Sequence, residues 1–241
     1  MLGNIKGTFL SKKVLSEDVY EFTFQCSDPQ TYDFLPGQYL ILIFSKDGKI
    51  IRKFYSISSS NKIKDKIEFV VKIIENGLGS SYLMNLKEGD NVEFQGPAGL
   101  FYLKQDKNLK IFVATGTGIA PMISMIKSHL GEINSKTKLV WGLRTKDDIY
   151  YLDLLQGMAQ KYENFSYEIY LSREDHIGNT NSNIFSGRVN IGIDKLLNDP
   201  EIDKINMEFY ISGDRNIVDS IRSYLIEKQI LPENIKLEKF I

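Results

Sequence analysis

Residues 111–121 read Ile-Phe-Val-Ala-Thr-Gly-Thr-Gly-Ile-Ala-Pro. An apolar run that suits a buried strand leads into a turn with two glycines, and an apolar helix pattern follows. Glycines at a strand-to-helix turn let backbone N–H groups approach a diphosphate, and the helix N-terminus adds a favourable dipole. Pro121 fits the first helical turn, where its missing N–H costs nothing. We therefore interpret Gly116, Thr117, Gly118 and Pro121 as a phosphate-binding turn, with a tight turn that binds no ligand as the alternative.

The sequence from this strand onward alternates between strand and helix patterns. The strand candidates are Lys110–Ala114, Leu139–Trp141, Tyr167–Leu171 and Glu208–Ile211. The helix candidates are Ala120–Leu130, Tyr150–Tyr162, Asp194–Asn198 and Ile217–Glu227. Such alternation predicts a parallel sheet with helices on its faces. Residues Gly178–Asn183 have the composition of a polar loop.

The sequence before about residue 104 consists of short strand patterns separated by turn signals. The strand candidates are Val19–Phe24, Tyr39–Phe44, Phe54–Ser58, Ile67–Ile74 and Asn91–Phe94, and the one helix candidate is Ser80–Leu86. This spacing predicts a closed antiparallel barrel. The chain is therefore predicted to have two domains: an N-terminal antiparallel β-barrel over residues 1–104, and an α/β domain with a parallel sheet over residues 105–241.

Composition excludes several classes of protein. The formal net charge is -1, which argues against a nucleic-acid binder, because such proteins carry a basic excess. A single cysteine rules out an internal disulfide and a four-thiolate cluster, and two histidines make a histidine-rich metal site unexpected, so we predict no metal. The longest apolar stretch, Tyr39–Phe44, is too short to cross a bilayer, and no signal-peptide pattern begins the chain. We therefore expect a cytoplasmic monomer that does not act at a membrane.

Three further segments have residue types suited to a phosphate-bearing, planar ligand, and each has a plainer interpretation. Arg52–Ser58 offers basic, aromatic and hydroxyl groups, but it also suits an edge strand with a solvated cation. Gly77–Leu83 offers N–H and hydroxyl donors, but one of its serines is equally suited to cap a helix. Tyr210–Asp214 lies at the carboxyl edge of a predicted parallel strand. Glu238–Ile241 suits either a functional chain end or a docked strand.

Taken together and in this order, these patterns resemble the ferredoxin–NADP reductase superfamily. The match runs from Pro36 to Phe240. Further matching pieces are Gly96–Gly99, Trp141–Arg144 with Asp147, and Leu171–Glu174. The resemblance implies a flavin-binding barrel followed by a nicotinamide-nucleotide domain, with FAD as the cofactor and NADP(H) as the cosubstrate.

The resemblance also implies roles toward the flavin. Tyr55 would stack on the flavin ring, and Ser56 would act catalytically through a hydrogen bond near N5. The residues that would hold the diphosphate are Gly79, Ser80 and Ser81. The family usually has Arg two places before the Tyr-Ser pair, where this chain has Lys53, with Arg52 one place earlier. Because Lys cannot form the bidentate fork of Arg, the sequence leaves open which of these two residues binds phosphate.

Toward the nucleotide, the resemblance implies binding by the turn with Gly116, Thr117, Gly118 and Pro121. Ser212 and Glu238 would be catalytic groups beside the nicotinamide, and Phe240 would cover the open flavin face. The family often has Cys where this chain has Ser212, and often ends on Tyr, whereas Ile241 follows Phe240 here.

Nucleotide choice depends on an arginine that follows a predicted strand. Arg173 would pair with the 2′-phosphate of NADP, assisted by Arg188 or Arg144. The alternative is a surface arginine paired with a neighbouring carboxylate, Glu174 or Asp175. The resemblance is closer to bacterial NADP-dependent reductases, so we expect NADPH.

The function implied is hydride transfer between NADP(H) and flavin, with electrons passing to or from ferredoxin or flavodoxin. Two lysine groups offer a steering surface for such an acidic carrier, with solvated lysines on loops as the alternative: Lys62, Lys64 and Lys66, and Lys104, Lys107 and Lys110. The alternatives are an NAD(P)H:flavin reductase that uses free flavin, the reductase component of an oxygenase, and a binding protein on the same fold without redox activity.

Overall fold

The computed structural model describes residues 3–104, 109–132, 135–175, 182–200 and 202–240. Most of the predicted polar loop Gly178–Asn183, as well as Lys107 and Ile241, lies outside the described residues. The chain divides into two compact units: Met1–Leu103 with Ala120–Ser128, and Lys104–Ile119 with His129–Ile241. No helix within the described ranges is both long and apolar enough to cross a lipid bilayer.

The first unit contains a six-stranded antiparallel sheet and a short helix, together with residues Ala120–Ser128 of a helix from later in the chain. Its elements are β1 Gly3–Val14, β2 Val19–Asp28, β3 Tyr39–Lys46, β4 Lys49–Ser56, β5 Lys66–Lys72, α1 Leu78–Asn85 and β6 Asn91–Ala98. The strand order is β4-β3-β6-β1-β2-β5. The two outer strands approach each other just after β4, where Ile57 forms a bridge with Phe69 and the Ser58 N–H donates to the Glu68 carbonyl at 2.9 Å. The sheet thus curls into a barrel that closes at this bridge.

Aromatic side chains fill the interior of this barrel. Phe24 on β2, Phe69 on β5 and Phe94 on β6 are almost completely buried, and their ring centroids lie 5.3–5.9 Å apart. They point inward because alternate residues of a strand face the same side of the sheet. This burial of large apolar side chains stabilises the scaffold on which the exposed residues of β4 and α1 are presented.

The second unit is built on a six-stranded parallel sheet, and the elements from residue 109 onward alternate as predicted, although most of the first helix among them, Ala120–Ser128, belongs to the first unit. They are β7 Leu109–Thr115, α2 Ile119–His129, β8 Thr137–Leu143, α3 Leu152–Lys161, β9 Phe165–Leu171, β10 Ile184–Ser186, α4 Val189–Leu197, β11 Met207–Asp214, α5 Arg215–Glu227 and β12 Ile235–Phe240. The strand order is β10-β9-β8-β7-β11-β12, and every pair is parallel.

The order of these strands creates a switch point between β7 and β11. From β7 the chain builds outward through β8, β9 and β10, and then returns to place β11 on the other side of β7. In an open parallel sheet, ligands bind outside the carboxyl ends of the strands at such a point. The turn at Gly116–Gly118 follows β7 directly, and Ser212 and Gly213 lie near the end of β11.

Two strands, β1 and β10, were not predicted, and helix α4 begins well before its expected position. β1 has only two large buried apolar side chains, Ile5 and Phe9, so its alternation is weak. β10 has three residues, and β12 corresponds to the docked strand that was one of two interpretations of the chain end. Helix α4 begins at Val189 rather than at the predicted Asp194, because its buried face already includes Val189 and Ile193.

Candidate functional site

Strand β4 and helix α1 bring together three of the predicted flavin-binding residues. Alternation along β4 puts Lys53 and Tyr55 on one face and Arg52 on the other. A Cβ atom at Gly79 would lie only 2.4 Å from the Tyr55 hydroxyl oxygen and 3.1 Å from Lys53 Cγ. Only glycine therefore lets the start of α1 approach β4 this closely. Burial raises the pKa of Tyr55 to about 12, so its hydroxyl is protonated at neutral pH.

The serines of α1 do not cap the helix. The helix begins at Leu78 with Gly77 as its N-cap, and no side chain among the described residues caps it. The interpretation of a serine N-cap was therefore wrong, because Ser80 and Ser81 already lie inside the first turns. The buried Ser80 hydroxyl oxygen accepts a hydrogen bond from the Ile74 N–H at 2.9 Å, which leaves its proton available for donation. Ser81 is exposed.

Ser56 is the last residue of β4 and is almost fully buried. It pairs in register with Tyr39 on β3, which fixes its position at the end of the strand. Its role toward the flavin stays a prediction.

The glycine turn after β7 packs backbone against backbone with the end of β11. Gly116–Gly118 forms a short 3-10 helix, and Gly116 has a left-handed φ of +52°. A Cβ atom at Gly118 would lie 2.2 Å from the Ser212 carbonyl oxygen, and a Cβ atom at Gly213 would lie 2.1 Å from Thr115 Oγ1. Pro121 is the third residue of α2, within its first turn, as predicted from the sequence.

Two buried hydroxyls at this switch point fit a polar ligand. Thr115 Oγ1 and Ser212 Oγ are buried and have no hydrogen-bond partner within the described parts of the chain. A buried hydroxyl without a partner costs about 1–3 kcal/mol, and a ligand that hydrogen-bonds to it would recover this cost. Ser212 was a predicted site residue. The sequence analysis missed Thr115, although its place as the last residue of β7 could have indicated it.

The carbonyl oxygen of Gly116 is held by two side-chain donors. Trp141 Nε1–H donates to it at 3.0 Å, and the Tyr150 hydroxyl donates at 3.4 Å. The two rings meet edge to face with centroids 4.8 Å apart. The sequence analysis assigned neither residue a role, because only the fold brings them to the turn.

The register of β12 brings Glu238 beside Ser212. The two residues pair across β11 and β12, and Phe240 pairs with Asp214 two positions further on. Paired residues on neighbouring strands project to the same side of the sheet. Two of the three predicted catalytic residues therefore lie next to each other at the carboxyl edge of the second unit.

The three predicted arginines follow three adjacent strands at the same edge of this sheet. Arg144 follows β8, Arg173 follows β9 by two residues and Arg188 follows β10 by two, and all three are exposed. The Arg173 N–H donates to the Arg144 carbonyl at 2.8 Å, which holds the first two segments together. Among the described residues Arg173 forms no ion pair. The Glu174 carboxylate instead accepts from the Lys146 N–H at 3.2 Å.

The structure corrects part of the proposed lysine surface. Lys110 is fully buried, and its Nζ lies 2.5 Å from Glu208 Oε2 on the neighbouring strand. Lys104 Nζ lies 3.9 Å from the other oxygen of that carboxylate. In the first unit, Lys64 pairs with Asp33 at 2.7 Å. Lys110 therefore cannot steer a partner, because its charge is enclosed and neutralised within the sheet.

Two family models match most of the chain. Residues 6–102 match an oxidoreductase FAD-binding domain, and residues 112–223 match an oxidoreductase NAD-binding domain. The chain is 31% identical over 229 residues to the toluate 1,2-dioxygenase electron transfer component of Pseudomonas putida, which covers 94% of this chain and 64% of that protein. It is 34% identical over 161 residues to ferredoxin–NADP reductase B of Sorangium cellulosum, which covers 66% of each. The chain thus spans slightly less than two thirds of the length of these relatives.

A solved structure has the same fold. The ferredoxin NADP+ reductase from Neisseria gonorrhoeae with bound FAD and NADP superposes with a TM-score of 0.83 at 18% identity and covers 98% of both chains. At this identity the likeness concerns the fold alone.

Proposed function

The chain belongs to the ferredoxin–NADP reductase superfamily, and from this premise we propose that it is an FAD-dependent reductase that oxidises NADPH and passes the electrons to a small carrier, ferredoxin or flavodoxin. The observation that carries the proposal is the succession, in one chain, of an FAD-binding and an NAD-binding oxidoreductase domain. The boundaries proposed for the two functions are residues 1–104 and 105–241.

In the first unit, the residues around β4 and α1 fit FAD. When bound, the flavin supplies the ring that accepts hydride from the nicotinamide. Tyr55 offers an aromatic face for that ring, and Ser56 offers a hydroxyl beside it. Because Gly79 has no side chain, α1 can lie close to β4. Lys53 lies on the same face of β4 as Tyr55, so we assign the phosphate contact to Lys53 rather than to Arg52.

In the second unit, the switch point fits a nicotinamide nucleotide as substrate. The N–H groups of the glycine turn would hold the diphosphate at the start of α2. The buried Ser212 hydroxyl and its register partner Glu238 would contact the nicotinamide end. At the other end, Arg173 would bind the 2′-phosphate, and its lack of an ion pair among the described residues supports a preference for NADPH.

The rate at which the bound flavin is reduced tests this proposal and separates nucleotide binding from hydride transfer. The protein is mixed anaerobically with NADPH, and the loss of the visible flavin absorption is followed with time. We expect saturable reduction, and we expect Ser56→Ala to slow the limiting rate far more than it weakens nucleotide binding. A limiting rate unchanged by this substitution would contradict the role given to Ser56.

A second candidate is the reductase component of an oxygenase, which the relationship to the toluate 1,2-dioxygenase electron transfer component favours. The two candidates differ in the acceptor: ferredoxin or flavodoxin in one, and an oxygenase or its own iron–sulfur protein in the other. A reductase that uses flavin as a diffusing substrate is less favoured, because the close approach of Gly79 to Lys53 fits a site that holds FAD. The monomeric state and the cytoplasmic location stay predictions.

A further inference from the structure

Two side-chain donors hold the peptide between Gly116 and Thr117 through its carbonyl group. The Gly116 carbonyl oxygen accepts from Trp141 Nε1–H at 3.0 Å and from the Tyr150 hydroxyl at 3.4 Å. Trp141 is fully buried and Tyr150 nearly so. The space beside the Gly116 Cα is open, because a Cβ atom there would meet nothing within 4 Å.

The geometry of a peptide links this carbonyl to the next N–H. A trans peptide is planar, and its C=O and N–H bonds point in opposite directions. Donors that hold the Gly116 carbonyl toward the interior therefore direct the Thr117 N–H away from it. That N–H is one of those at the turn leading into α2, where an anion would bind.

A glycine turn needs such a restraint. Gly116 has φ +52°, a conformation that glycine adopts readily but does not hold, since it also visits many others. The short 3-10 helix Gly116–Gly118 gives this peptide one restraint, and the two side-chain donors on the Gly116 carbonyl add a second. Trp141 and Tyr150 restrain each other through their edge-to-face contact, with ring planes at 77°, so both donors are fixed before a ligand arrives.

We propose that Trp141 and Tyr150 are positioning residues that fix the Gly116–Thr117 peptide so that its N–H is directed at the diphosphate of the nicotinamide nucleotide. This inference rests on the proposed function. The two side chains do not touch the ligand; they lower the conformational entropy that the turn would lose on binding. The effect therefore falls on nucleotide affinity and not on the chemical step.

The test compares three substitutions in the FAD-loaded protein, of which the two Tyr→Phe changes each remove a single hydroxyl group. Tyr150→Phe removes one donor, and Trp141→Phe removes the other. Tyr167→Phe is the matched control, because Tyr167 is equally buried on β9 and its hydroxyl has no partner within the described residues. For each variant, KM and kcat are measured with the nicotinamide nucleotide that the wild type oxidises faster, together with the inhibition constant of ADP-ribose, which carries the diphosphate but no nicotinamide.

We expect Tyr150→Phe to raise KM and the ADP-ribose inhibition constant about two- to fivefold, and Trp141→Phe about three- to tenfold, since each deletes one hydrogen bond. The value of kcat should stay within about twofold of wild type, as a positioning role requires. Tyr167→Phe should change neither constant. If Trp141→Phe does not fold, Tyr150→Phe alone decides.

An ADP-ribose inhibition constant that is unchanged in the folded donor variants, Tyr150→Phe and Trp141→Phe, would overturn the inference. A fall in kcat at constant KM in these variants would also overturn it. A wild-type protein that oxidises neither nucleotide would overturn the proposed function and this inference with it. A wild type that oxidises one of them, with donor variants that behave like the control, would overturn the inference alone.

Discussion

Lys53 gives the sharpest test of the flavin site, because its neighbour Arg52 is a built-in control. Both residues are basic and exposed, and they are adjacent in sequence. The alternation of β4 puts them on opposite faces, and only Lys53 has its side-chain stem against Gly79 and on the same face as Tyr55. Lys53→Ala should therefore weaken FAD binding, whereas Arg52→Ala should not.

The magnitude follows from the type of contact. A hydrogen bond to a charged group contributes about 1.5–3 kcal/mol, and exposure to solvent reduces the value toward its lower end. We expect a loss of about 1–2 kcal/mol, which corresponds to a roughly 5- to 30-fold increase in the Kd for FAD. Lys53→Arg keeps the charge and should retain most of the affinity.

The assay is titration of the flavin-free protein with FAD, followed by flavin fluorescence, at low and at high salt. The defect of Lys53→Ala should shrink at high salt, because ions screen an exposed charge contact. Arg52→Ala should change the Kd by less than about twofold, within the small effect expected of an exposed charge that makes no specific contact. An equal or larger defect in Arg52→Ala would refute the assignment of the phosphate contact to Lys53.

Four further outcomes are expected. Gly118→Ala should destabilise the protein by about 1–3 kcal/mol in urea unfolding, because its Cβ would meet the Ser212 carbonyl at 2.2 Å, while Gly157→Ala, which has open space, should not destabilise it. Ser212→Ala should leave the free energy of unfolding unchanged or raise it by up to about 1 kcal/mol, because it removes a buried hydroxyl without a described partner. The same substitution should raise the KM for the nucleotide. An unchanged KM would argue against contact between Ser212 and the nucleotide. Arg173→Ala should lower the ratio of NADPH to NADH activity, and an unaltered ratio would remove this residue from the 2′-phosphate site. Glu208→Gln should destabilise the second unit by about 3–5 kcal/mol, because a fully buried lysine would lose its counter-charge; a chemical unfolding curve that matches wild type would contradict this.

The sequence alone was sufficient for the fold class, while the roles given to the residues at the two sites stay predictions. The alternation of strands and helices predicted the parallel sheet, and residues 111–121 predicted the glycine turn at its switch point. Glycines are informative here because close packing excludes any side chain, as at Gly79 and Gly118. Such positions can be recognised from their place between a strand and a helix.

The remaining features depend on contacts between residues distant in the sequence. Lys110 was predicted to lie at the surface because no acidic residue is adjacent to it in the sequence. Its partner Glu208 lies on a strand 98 residues further along the chain. The choice between Lys53 and Arg52 needed the position of α1 beside β4. The donors Trp141 and Tyr150 could not be assigned to the Gly116 carbonyl before the strand order was known.

The proposed function requires that hydride pass from a nicotinamide nucleotide to FAD held by this chain. Its most direct test is the visible spectrum of the protein as purified, before and after anaerobic addition of NADPH. We predict a flavin spectrum at near-stoichiometric occupancy that bleaches fully with one equivalent of NADPH. A protein that retains no flavin, or one whose flavin stays oxidised in the presence of both NADPH and NADH, would contradict the account.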